Sequence, residues 1–180
     1  MIPHTSAVIG PKGCGKSTLA ASLSLRSGYL RASFAGPLKQ MLRTLLETQS
    51  VDSEIIERML YGDLKEVKTD YLGGATPRWA MQTLGTEWRD LISRELWSTI
   101  WFNAVQATTR NIVVDDMRFI HEAKVVRQRG PSLIIALTRH GFGPGEHQSE
   151  REYLDIPCDV EISNNGSVDE LFARVADRLS

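Results

Sequence analysis

One stretch of this sequence has the residue types and spacing needed to hold an anion: Gly10-Pro11-Lys12-Gly13-Cys14-Gly15-Lys16-Ser17, followed by Thr18. It matches G-x-x-x-x-G-K-[ST] at every fixed position. The glycines let the backbone curl until successive N–H groups converge on a phosphate at the start of a helix. Lys16 adds a compact charge that can bridge β- and γ-phosphates. Ser17 offers a hydroxyl to Mg²⁺, and Thr18 falls nearer the α-phosphate. The chemistry is binding of a nucleoside triphosphate, with Lys12 and Cys14 as the remaining loop positions. Hydrolysis or transfer does not follow from the loop alone.

Two further sets of residues extend that chemistry. Asp115 and Asp116 end an apolar run, Ile112-Val113-Val114, where a carboxylate can hold Mg²⁺ through water. Arg78, Arg89, Arg118, Arg139 and Arg151 fall near loops or strand ends, and guanidinium suits bidentate contact with phosphate oxygens.

These residues need a scaffold. Ala7-Val8-Ile9 reads as a strand running into the phosphate loop, and Lys16 to Arg26 as the helix after it. Tyr29–Phe34 is expected as a second strand, and Pro37 suits the first turn of a helix carrying Leu38, Met41, Leu42, Leu45 and Leu46. Glu54–Leu60 is one helical piece within a polar stretch broken at Gly73-Gly74. Residues 79–108 read as one or two helices, with Trp88, Trp97 and Trp101 as core anchors at helical spacing. Ile112–Val114, Ser132–Thr138 and Asp159–Ser163 are strands, and Ile120–Gln128 is a helix. Ser167 caps the last helix, with Glu170 placed for a capping box. Apolar strands alternating with helices predict an α/β fold: a three-layer α/β/α P-loop NTPase domain with a mostly parallel central sheet. It is expected as a single domain, residues 1–180, with a helical insertion at about 36–90 and a short glycine-rich lid at about 139–151.

Composition narrows the function. The 180 residues are 42% hydrophobic and 24% charged, the balance of a globular protein, with net charge −1 from 21 basic and 22 acidic residues. That sum argues against a nucleic-acid coat. No apolar run approaches the ~18 residues of a membrane span, and the N-terminus lacks the pattern of a signal peptide. Cys14 and Cys158 form no metal or disulfide pattern and read as free thiols in a reducing cytoplasm. The guanine-reading Asn-Lys-x-Asp and the transporter signature Leu-Ser-Gly-Gly-Gln are both missing, which leaves a small ATP-using phosphotransferase.

The middle of the chain resembles the deoxynucleoside monophosphate kinases of bacteriophages. The matching stretches are Ser33-Phe34-Ala35-Gly36-Pro37-Leu38-Lys39, Leu60-Tyr61-Gly62 with Lys65-Glu66, and Gly73-Gly74-Ala75-Thr76-Pro77-Arg78 running into Met81-Gln82-Thr83-Leu84-Gly85-Thr86-Glu87-Trp88. Asp116-Met117-Arg118-Phe119 with Glu122-Ala123 resembles the family's second acidic motif, with His121 where that pattern has Asn. His147 with Ser149-Glu150 resembles the end of its lid.

The resemblance implies a Mg²⁺-dependent kinase moving the ATP γ-phosphate onto a (deoxy)nucleoside 5′-monophosphate. It implies that Gly36 to Glu87 surrounds the acceptor, with Arg78 on its phosphate and Gln82 on its base. Phe34, Lys39, Lys65 and Arg89 would assist. Arg118, beyond Asp116, would reach the transferred phosphoryl group. Arg139 would flank the donor adenine or close onto the phosphates, and Asn164, Asn165 and Gly166 would touch the adenine edge. No general base is needed, because an acceptor phosphate is already ionised. Phe34, Tyr61, Tyr71 and Trp79 are candidates for steric exclusion of a 2′-hydroxyl. The expected partners are small nucleotides rather than nucleic acid or membrane, with a homodimer as the default assembly. The rival readings are a kinase for another small acceptor, with Asp115 or Asp116 as base for an alcohol, and an ATP-binding regulator without turnover.

Overall fold

The computed structural model describes residues 4–144 and 151–179. Five strands, β1 (Thr5–Ile9), β2 (Leu30–Arg31), β3 (Ile112–Val114), β4 (Ser132–Thr138) and β5 (Val160–Ser163), form one sheet in the order β2-β3-β1-β4-β5. Every neighbouring pair is parallel. The helices are α1 (Lys16–Ser27), α2 (Gly36–Glu47), α3 (Ser53–Tyr61), α4 (Pro77–Thr83), α5 (Arg89–Ile92), α6 (Leu96–Val105), α7 (Ile120–Gln128) and α8 (Val168–Leu179).

Alternating side chains along the strands serve opposite faces of the sheet. Val8, Val113, Ile135 and Leu137 pack against Leu19 and Leu23 of α1 and Leu171 and Val175 of α8. Ala7, Ile9, Ile112, Val114 and Ile134 pack against Trp101 and Val105 of α6 and Ala123 and Val126 of α7. Both faces are therefore covered, and the fold is a three-layer α/β/α P-loop domain. At the end of the sheet where the strands begin, Arg129 donates to Thr5 Oγ1 (2.8 Å) and to the carbonyls of Thr108 (3.1 Å) and Arg110 (3.0 Å). A fork with several donors suits a place where three loops end.

The chain divides into two compact units, Met1–Phe34 with Ser98–Ser180, and Ala35–Trp97. The second has its own core of Leu42, Leu46, Val51, Ile56, Met59 and Leu60, contributed mainly by α2 and α3. Pro37 lies in the first turn of α2, where its fixed φ costs nothing. Short 3₁₀ turns occupy Asp63–Glu66 and Asp70–Leu72. α4 runs into a π-helical turn at Leu84–Trp88 and then into α5. Local side-chain donors explain that widening. Thr86 Oγ1 donates to Gln82 O (2.7 Å) and Trp97 Nε1 to Leu84 O (3.3 Å), so these carbonyls are drawn off the regular ladder.

Most expected elements are present within a residue or two. The second strand is shorter than expected, Leu30–Arg31 rather than Tyr29–Phe34. Tyr29 N–H still bonds back to Leu23 O (3.3 Å) at the end of α1, and Ser33 and Phe34 are held by a side chain instead of by the ladder. Trp97 and Trp101 are buried anchors, Trp88 packs on Trp97 at 5.7 Å between centroids, and Trp79 is 59% exposed. Among the described residues no helix is long and apolar enough to cross a membrane.

Candidate active site

Because all five strands run the same way, the loops after their C-terminal ends gather on one edge of the sheet, the usual ligand edge of such folds. β1 leads into the phosphate loop, β3 into Asp115-Asp116, β4 into Arg139 and β5 into Asn164-Asn165. The loop needs its glycines sterically. A Cβ on Gly10 would lie 2.3 Å from Leu137 O, and one on Gly15 2.3 Å from Asn164 Nδ2. Gly13 and Gly15 also adopt left-handed φ values of 84° and 105°.

The loop is suited to a polyphosphate by what it withholds as well as by what it offers. No side chain caps α1, and its first turn has no acidic residue. By contrast Asp52 caps α3, Thr76 caps α4, and Ser167 with Glu170 forms the expected reciprocal box on α8. An uncapped helix N-terminus keeps its N–H groups and its positive dipole end for an anion. The Lys16 ammonium lies across the loop, donating to Gly10 O (2.8 Å) and Pro11 O (2.7 Å). Ser17 and Thr18 are exposed on the first turn of α1, Lys12 is exposed and Cys14 is buried.

The two aspartates are tied differently. Asp115 pairs with Arg31 of β2 at 3.0 Å. Asp116 accepts from the Ser33 hydroxyl and from Phe34 N–H (3.0 Å). These two bonds fix the orientation of the Asp116 carboxyl. Among the described residues no cluster of three or more His, Cys, Asp or Glu side chains could cage a metal. Mg²⁺ needs no such cage: it is typically held by one or two carboxylates, waters and substrate phosphates. The hard oxygen donors Ser17, Asp115 and Asp116 fit that pattern.

Arg118 follows Asp116 and the buried Met117. Its N–H and that of Phe119 both donate to Glu122 Oε2, at 2.6 and 3.0 Å. Glu122 reaches back from the first turn of α7 and is 4% exposed. Burial pushes its carboxyl up to about 8; the Arg118 amide opposes this and the charge of Asp116 adds to it.

Arg139 leaves β4, donates to Gly13 O (3.4 Å), and has its guanidinium 5.3 Å from the centre of the Phe142 ring. Asn165 accepts from His140 N–H (2.8 Å), whereas its neighbour Asn164 donates to Cys14 O (2.8 Å) and so braces the phosphate loop. Phe142 and the bracing role of Asn164 are what sequence reasoning missed; Gly13 beside the one and Cys14 beside the other lie most of the chain away. His147, Ser149 and Glu150 lie outside the described residues, and Arg151 is exposed.

The remaining expected positions belong to the Ala35–Trp97 unit, except Phe34. That residue is 2% exposed and packs on Trp101 at 4.7 Å between ring centroids. Lys39 sits 4.3 Å over the Tyr61 ring. Lys65 lies in the turn Asp63–Glu66. Arg78, in the first turn of α4, pairs with Glu66. Gln82 is half-buried on the same helix. Arg89 is 7% exposed and pairs with Asp90 at 2.7 Å.

A three-layer parallel fold with this loop defines a P-loop nucleotide-binding domain. The sequence model of the deoxynucleotide monophosphate kinase family matches residues 52–175, well over half of the chain. The protein belongs to that family, and its reaction is ATP-dependent phosphorylation of a nucleotide monophosphate. A protein of Acanthamoeba polyphaga mimivirus that carries the provisional name deoxynucleotide monophosphate kinase is 29% identical over 185 residues, covering 93% of this chain and 92% of the relative. Among solved structures, shikimate kinase from Acinetobacter baumannii in complex with shikimate is similar with a TM-score of 0.51. It is 13% identical and covers 99% of this chain and 93% of that one. At that identity the likeness shows the fold alone.

Proposed function

We propose that the preferred acceptor is a 2′-deoxynucleoside 5′-monophosphate and that the two units divide the substrates. The sheet unit takes MgATP on its phosphate loop, and Ala35–Trp97 takes the monophosphate. The observation that supports the donor half of this reading is the uncapped N-terminus of α1 inside a glycine loop crossed by Lys16, and the family match supports the deoxynucleotide acceptor. Gly10, Lys12, Gly13, Cys14, Gly15, Lys16, Ser17 and Thr18 line the donor phosphates, with Asn165 toward the donor base. Lys39, Lys65, Arg78, Gln82 and Arg89 serve the acceptor, Arg78 gripping its phosphate as a fork.

Mg²⁺, held by Ser17 and by Asp116 or Asp115, supplies charge neutralisation on the donor phosphates. Asp116 is the better candidate by position, because the Ser33 hydroxyl and the Phe34 amide fix its carboxylate, whereas Asp115 pairs with Arg31. Catalysis rests on alignment and on the charges of Lys16, Arg118 and Arg139 at the transferred group. The segment at about 139–151 acts as the lid. Tyr61, Tyr71 and Trp79, exposed in the acceptor unit, remain the side chains able to exclude a 2′-hydroxyl. On this reading the enzyme works in the cytoplasm, where both substrates are.

The test is a turnover panel: purified protein, MgATP and each ribo- and deoxyribonucleoside monophosphate, scored for diphosphate. Product with deoxy acceptors, lost in Lys16→Ala, supports the reading. A protein that binds ATP but phosphorylates no acceptor of the panel overturns it.

A further inference from the structure

Phe142 presents an aromatic ring, 45% exposed, in a glycine-rich polar segment where packing gives it no reason to be. The ring lies against the phosphate loop at Gly13. A Cβ on Gly13 would lie 2.3 Å from the ring's Cε1 and 2.6 Å from its Cδ1, so the contact exists because residue 13 has no side chain. The segment is folded back on itself by an isolated antiparallel bridge between Arg139 and Phe142, with Phe142 N–H donating to Arg139 O at 3.1 Å. Its base is pinned where Asn165 accepts from His140 N–H.

The result is a seat for one cation. The Arg139 guanidinium lies over the ring, 5.3 Å from its centroid, and donates through Nη1 to Gly13 O at 3.4 Å. An exposed arginine explores many rotamers, and a ring face plus one carbonyl restrict it while leaving its charge undiminished. A phosphoryl-transfer site needs such a cation, placed before the donor arrives.

We propose that Phe142 is a positioning residue for phosphoryl transfer, holding Arg139 against Gly13 of the phosphate loop. The inference rests on the reading of Arg139 as a residue of the donor site. What matters is the ring's π-face rather than its bulk, so an aromatic replacement should serve and an aliphatic one should not.

The experiment compares Phe142→Tyr, Phe142→Leu, Arg139→Ala and the double variant Arg139→Ala with Phe142→Leu. All are assayed in full-length enzyme for kcat, KM for ATP and KM for the acceptor. Phe142→Tyr should stay within about twofold of the parent. Phe142→Leu should lose about three- to thirty-fold in kcat/KM for ATP, the range of a cation–π contact, with the acceptor KM unmoved. In the Arg139→Ala background the leucine change should add nothing. Equal activity of Phe142→Leu and the parent, with Arg139→Ala impaired, overturns this proposal alone. A loss in Phe142→Leu that multiplies with that of Arg139→Ala also overturns it, because the ring would then act without the arginine. An Arg139→Ala enzyme with unchanged kinetics overturns the reading of Arg139 itself, and the proposal with it.

Discussion

The cations beside the phosphate loop and the arginines of the Ala35–Trp97 unit are held by different partners. Beside the phosphate loop, Lys16 donates to Gly10 O and Pro11 O, and Arg139 donates to Gly13 O next to an aromatic ring, while elsewhere in the sheet unit Arg26, Arg31 and Arg127 pair with carboxylates. In Ala35–Trp97, Arg78 faces Glu66, Arg89 faces Asp90, Arg43 faces Glu57 and Arg58 faces Asp63. Neutral holders fix a cation and leave its field intact, whereas a carboxylate fixes it and offsets it. On the proposed division of substrates, carbonyls and a ring hold the donor-side cations, and Arg78 would have to exchange Glu66 for the acceptor phosphate.

The largest effect should come from removing the donor-side cation. Lys16→Ala should lower kcat by about 10²–10³-fold, as expected for loss of a preorganised charge at the transferred group, with little change in acceptor KM. Rapid-quench measurement of diphosphate formation checks this. A comparable rise in acceptor KM would show that the units do not divide the substrates.

Arg78→Ala comes next and should act on the other substrate. Loss of a charge-assisted fork to phosphate is worth about 1.5–3 kcal/mol, so the acceptor KM should rise by about 10–150-fold, with KM for ATP unmoved. Arg78→Lys should recover only part of this, since an ammonium cannot make the planar fork. Equal changes in both KM values would break the comparison.

How much of this was legible in the sequence follows the same division. The phosphate loop is contiguous, and its demands are local: glycine at Gly13 and Gly15, where φ is positive, and Lys16 on the next helix. The Ser167–Glu170 box is legible for the same reason, since both its bonds close within one turn. The partners of Asp115 and Asp116 are not. Arg31 and Ser33 reach them through a parallel pairing of β2 with β3 that no spacing reveals. The packing of Phe34 on Trp101 is hidden in the same way, because its partner lies far along the chain. The π turn at Leu84–Trp88 was also hidden, because a donor from Trp97, well downstream, helps to open it.

Glu122 sharpens the comparison by a smaller effect, on stability. The sheet unit keeps this carboxyl on the amides of Arg118 and Phe119, and burial raises it to about 8 from an unfolded value of 4.5. The folded state therefore holds a proton between those limits that the unfolded chain releases. A group raised in this way contributes stability fully below about 4.5 and loses it as pH rises toward 8. The slope is at most about 1.4 kcal/mol per pH unit. Gln accepts the same two amide bonds and does not titrate, so Glu122→Gln should be missing this decline. The depressed acids Asp63 and Asp159 titrate below the window, and His4, lowered by burial and Arg129, works in the opposite direction in both proteins. The difference between the two urea-denaturation curves, measured from pH 5 to 8, isolates Glu122. A difference that stays constant across this range would mean that the acid is ionised when folded and offsets Arg118 after all.

The smallest effect tests the acceptor unit's own carboxylate. If Glu66 occupies the fork that the acceptor phosphate must take, Glu66→Gln should release Arg78 and lower the acceptor KM. Exposed ion pairs are worth about 0.2–1 kcal/mol, so the gain should be about 1.5- to 5-fold, and it should shrink as salt rises. Arg78→Ala should erase the gain, because no fork remains to be released. A rise in acceptor KM in Glu66→Gln would mean that Glu66 aims the arginine rather than competing with the substrate. The acceptor unit would then be preorganised as well, by a carboxylate where the donor unit uses carbonyls and a ring.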